Sequence, residues 1–181
     1  MRLRKTSPFF AALSLYAEIE FTTKVQLAAT NGKKIFFNPI TYIKLPILER
    51  DGVYLHELLH MALLHNLRRG TRDHKIFNIA ADIVVNGMIV NEGDCNIPKF
   101  GVTDPELEDL SVEEIYEILI KNKNEYEDYF IDLINDDMKN EKNEDIDNKD
   151  LEGNGIDDNY ETGLSDLKTE RDIRAYWRQA I

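Results

Sequence analysis

A single cysteine, Cys95, in 181 residues rules out an intrachain disulfide and fits a reducing compartment. We read it as a small loop or core residue rather than a reactive or metal-bound thiol. No apolar run is long enough to cross a bilayer as a helix, so no membrane partner is expected. Positive charge is also scarce: 22 Lys and Arg stand against 34 Asp and Glu, a formal net charge of −12. The deficit is uneven, with 13 basic and 16 acidic side chains in residues 1–120 but 9 and 18 in residues 121–181. Such a chain repels phosphate instead of releasing its counterions, which excludes nucleic acid and anionic lipid as natural partners. A clean secretory signal is missing too. Arg2, Arg4 and Lys5 precede the apolar Phe9–Ala17, but no small-x-small cleavage site follows, and Ser7-Pro8 reads as an N-cap and first helical residue. The expectation is an amphipathic helix over about 8–18 and a cytoplasmic protein.

At this length the chain can bury one good core. Residues 24–37 alternate around Asn31-Gly32, a strong hairpin signal because both residues tolerate positive φ, and Pro39 closes the pairing. A helix follows over about 46–69, ending in Arg68-Arg69-Gly70. Asp73 is placed to cap a second, almost wholly apolar helix over about 74–90, with Gly93 just beyond it. Ser111-Val-Glu-Glu114 is a capping box for a third, over about 112–120. These elements predict an α+β domain over 1–120, rich in helix, with a small antiparallel hairpin or sheet packed on the first long helix. Residues 121–164 read as an acidic, flexible linker and 165–181 as a C-terminal helix that stops while still periodic, as expected of a domain that continues or of a shortened chain.

The first long helix carries His56-Glu57-Leu58-Leu59-His60, an HExxH motif inside the apolar run Leu55–Leu64. Residues four apart share a helix face, so both imidazoles can meet one divalent ion while Glu57 stands beside its open position. A chance match is the bland alternative, with two solvated histidines on a surface helix. The apolar surroundings argue against it, because histidine and glutamate are costly in a buried helix unless they have partners.

A catalytic zinc needs a third protein ligand, its fourth position going to water. His65 lies nine residues after His56, and nine steps of about 100° put it on the far side of a continuous helix. It reads as a hydrogen-bonding or capping residue. His74, at a helix start, is a weaker candidate. Asp82 is the choice: Asn78, Asp82 and Asn86 form the one polar line on an otherwise apolar helix, and a buried carboxylate there calls for a cation. The alternative role for Asp82 is to orient a ligand histidine. Asn78 and Asn86 would hold neighbouring groups or meet substrate.

In order along the chain, Pro8-Phe-Phe, Asn31-Gly-Lys-Lys-Ile-Phe-Phe-Asn-Pro39, the HExxH with His65 and Arg68/Arg69, Asn78-Ile-Ala-Ala-Asp-Ile-Val-Val-Asn86 and Ser111-Val-Glu-Glu-Ile-Tyr116 resemble a metallopeptidase domain. In many bacterial and phage proteins that domain precedes a von Willebrand factor A-like domain. The resemblance covers about residues 6–120 and returns at Trp177. It implies a zincin-like fold, His56 and His60 as zinc ligands, Glu57 as catalytic acid and base, and Asp82 in the zinc site. The A-like domain does not follow here, which points to a separate A-like protein as a partner.

The main expectation is therefore a zinc-dependent peptidase acting on a peptide or protein, with an edge of the 24–37 hairpin receiving an extended substrate. Tyr54, His65, His74 and Arg68 are the candidates to steady the oxyanion. The rival is a zinc-stabilised interaction module of a phage or bacterial assembly, whose metal would be closed off by a fourth ligand. Residues 150–161 also imitate a calcium loop, but Asp157 occupies its apolar position, and an acidic linker is the preferred reading.

Overall fold

The computed structural model describes residues 8–122 and Arg174. Apart from Lys121, Asn122 and Arg174, the expected acidic linker, calcium-like loop and C-terminal helix lie outside the described residues. The elements in order are α1 (Pro8–Leu13), β1 (Glu18–Phe21), β2 (Ala28–Thr30), β3 (Lys34–Phe37), α2 (Pro39–Tyr42), α3 (Ile47–Ala62), α4 (His65–Arg68), α5 (His74–Glu92) and α6 (Val112–Lys121). The result is a helix-rich α+β architecture in which a three-stranded sheet, α3, α5 and α6 stack in sequence, each layer packed on the next.

The hairpin forms around Asn31-Gly32 as expected. Gly32 has φ +90°, and the Asn31 side chain accepts from the backbone N–H of Lys33 and Lys34 at 3.1 and 2.9 Å. β2 pairs antiparallel with β3, Ala29 opposite Phe36. The sheet is nevertheless mixed, because β1 adds to the other side of β3 in parallel. That strand corrects the expected helix over 8–18. The Ser14 hydroxyl turns back to the Ala11 carbonyl, and beyond it Glu-Ile-Glu-Phe alternates with the period of a strand. The same strand moves the open edge. β3 is internal and all of β2 is buried, so the exposed edge is β1, which belongs to neither hairpin strand.

From Gly52 to Ala62 every residue of α3 is buried. One side meets Ala28, Ile35 and Phe37 of the sheet; another meets Val85 and Ile89 of α5. α5 is buried on its opposite face as well, where Ile76, Phe77, Ile79, Ala80 and Ile83 meet Val112, Ile115, Tyr116 and Leu119 of α6. A helix packed on two sides has little room for polar residues, which is why its sequence is nearly continuous in apolar character. Its ends carry the expected caps: Asp73 accepts from the Ile76 N–H, and Gly93 closes with φ +77°. The capping box of α6 is complete. The chain after α5 returns across α3, donating from Asn96 N–H to the Leu48 carbonyl. At that crossing a Cβ on Gly52 would collide with the Asn96 carbonyl oxygen. Gly52→Ala is therefore expected to cost on the order of 2–3 kcal/mol, read as a lower urea midpoint, because backbone must move to admit the methyl.

The long helix expected over 46–69 breaks. Leu64 adopts the left-handed conformation, φ 58° and ψ 35°, and α4 restarts at His65 in a new direction. Among the described residues, no helix is long and apolar enough to cross a membrane.

Candidate metal centre

His56 and His60 are one turn apart on α3 and share a face; they are 3% and 5% exposed. Asp82 enters from the middle of α5, held against α3 by Val85 and Ile89 one turn and two turns further on. The two Nε2 atoms lie 3.0 Å apart. Asp82 Oδ1 is 3.5 Å from His56 Nε2 and 3.1 Å from His60 Nε2. Nitrogen and oxygen ligands placed tetrahedrally at about 2.0–2.1 Å from zinc are about 3.3 Å from one another. The three atoms thus form one face of such a tetrahedron. Among the described residues, these three side chains are the group of His, Cys, Asp or Glu close enough to share an ion.

Hydrogen bonds behind the histidines turn their lone pairs inward. Asn86 Nδ2 donates to the Val102 carbonyl at 2.6 Å, which fixes the amide so that its oxygen faces His56 Nδ1 at 2.8 Å. His56 must then donate from Nδ1, leaving Nε2 free to bind a cation. On the other ligand, His60 Nδ1 lies 3.2 Å from His65 Nδ1. Burial pushes the Asp82 carboxyl up, but the His56 and His60 imidazoles beside it outweigh burial, so it sits below its ordinary value. The carboxylate is ionised where a metal would meet it.

Burial, reinforced by His60 and Arg68, lowers His65 to about 2. The unfolded chain protonates this imidazole below about 6.5 whereas the native chain does not, so the metal-free protein loses stability as the pH falls from there. Asp82, depressed in the native state, adds a loss of the same sign only near pH 4 and below. Urea midpoints of metal-free protein between pH 7.5 and 5 should fall accordingly, and His65→Asn should flatten the decline.

The remaining candidates are placed elsewhere. Asn78 is partly buried one turn before Asp82, and His74 is partly buried at the start of α5, about 12 Å along the axis from Asp82. Tyr54 is committed to the core beside Phe37, its phenol pushed up by burial. Arg68 forks onto Glu113 at 2.6 and 3.1 Å. Glu57, next to His56 on α3, is fully buried. Two parts of the site had no residue-type signal: the Val102 carbonyl, which any residue could supply, and the left-handed Leu64.

A family model described as "Putative metallopeptidase domain" matches residues 1–181. The chain belongs to this family. The match runs well beyond residues 6–120, where the recognisable motifs lie. No curated protein and no solved structure matches the chain. His56, His60 and Asp82 converge closely enough that they could hold a divalent ion, as a metallopeptidase domain requires.

Proposed function

We propose that the chain is a zinc-dependent peptidase of zincin-like design, with zinc held by His56, His60 and Asp82. The observation that carries this reading is the triangle of donor atoms, 3.0, 3.1 and 3.5 Å on its sides, formed by the two histidines of an HExxH motif and Asp82, with the motif's glutamate buried. Bound there, zinc supplies Lewis acidity, polarising a peptide carbonyl and acidifying water. Glu57 takes the proton of the attacking water and returns it to the leaving amine as the C–N bond breaks. Asn86 keeps His56 in the tautomer that binds metal through Nε2. Among the described residues no fourth side chain joins the group, which favours an open position over the closed site of a structural zinc module.

The reading makes a peptide or protein the partner, in the cytoplasm, with a separate A-like protein as a candidate for delivering it. It is tested by incubating the purified chain with a mixed peptide library and free zinc. New amine termini that vanish on chelation and return with zinc support it; intact peptides in every condition contradict it.

A further inference from the structure

The one left-handed non-glycine residue among the described residues adjoins His65, which contacts the metal centre. Leu64 has φ 58°, a conformation unfavourable for a branched side chain. The following residue, His65, is 4% exposed, and its Nε2 has no hydrogen-bond partner among the described residues. A buried, unsatisfied donor is destabilising. An apolar side chain at position 65 would avoid that second cost. Both features serve one contact. The break at Leu64 swings His65 from the far side of α3 back to His60, Nδ1 to Nδ1 at 3.2 Å.

Two imidazole nitrogens at that distance share one proton. If His60 binds metal through Nε2, its Nδ1 carries the proton and His65 Nδ1 must accept it. The proton of neutral His65 then sits on Nε2, the atom left without a partner. We propose that His65 is a positioning residue for the metal centre: it accepts from His60 Nδ1–H and thereby aims the His60 Nε2 lone pair at the metal, as Asn86 does for His56. This rests on the metal-binding reading of His56, His60 and Asp82. The arrangement accounts for a buried imidazole and for a leucine held left-handed before it, since a continuous helix would carry residue 65 away from His60.

The test compares Zn2+ affinity of the metal-free chain, by competition with a chromophoric chelator, in His65→Phe and His65→Asn. Phenylalanine fills the site without an acceptor, whereas Asn places its Oδ1 where the imidazole has Nδ1. His65→Phe is expected to bind zinc 10- to 100-fold more weakly, while His65→Asn stays within a few-fold of the unaltered chain. Proton NMR of the zinc-saturated proteins adds a readout that ordinary packing does not move. The His60 Nδ1–H resonance should lie downfield in the unaltered chain and in His65→Asn, and move upfield in His65→Phe. Equal zinc affinity in all three proteins, or equal weakening in both variants with His60 unchanged, would overturn the role of His65. Failure of the unaltered chain to bind zinc would instead sink the metal reading on which it rests.

Discussion

Glu57→Gln is expected to keep its zinc and lose about 10²–10⁴ of its peptide-hydrolysis rate, because the amide is nearly isosteric but cannot take a proton from water. Glu57 is fully buried on a helix packed from several sides, so the conservative change leaves the packing of α3 undisturbed. Zinc content and melting temperature should therefore match the unaltered chain within error while turnover falls. Undiminished cleavage by this variant would remove Glu57 from the chemistry. A variant without zinc would mean that the glutamate contributes to holding the metal.

Asp82→Ala should give the second large effect. Zinc binding by small structural sites is worth about 10–16 kcal/mol shared among their ligands, so loss of one ligand should cost roughly 3–4 kcal/mol, or 10²–10³ in affinity. A residue that only oriented a ligand histidine would cost about 10–100-fold. The size of the loss therefore separates the two roles, and the 3.1 Å approach of Oδ1 to His60 Nε2 favours the larger one. The difference should also be visible thermally. Free zinc at about 100 times its dissociation constant adds roughly 2.7 kcal/mol to the unaltered chain, which for a domain of this size is on the order of 10 °C. At that same zinc concentration Asp82→Ala should show almost none of this shift.

The helical half of the architecture was legible because its signals are local. The α5 caps at Asp73 and Gly93, the Ser111–Glu114 box and the Asn31-Gly32 turn each depend on a few adjacent residues, and all four are present. Asp82 could be picked out because a carboxylate on an apolar helix is conspicuous. Long-range pairing was not legible: β1 gains its strand character from β3, sixteen residues away in register, while its own four residues are wholly exposed. The geometry of His65 was misplaced for a different reason. Counting 100° per residue presumes an unbroken helix, and leucine offers no local hint that position 64 turns left-handed. The residue expected on the far side of α3 accordingly lies against His60.

A crystal of the zinc-loaded chain, with an anomalous difference map at the zinc edge, tests the central claim most directly. One strong peak is expected about 2.0–2.2 Å from His56 Nε2, His60 Nε2 and an Asp82 carboxylate oxygen, with no fourth protein ligand. A peak elsewhere, or one enclosed by four protein side chains, would contradict it.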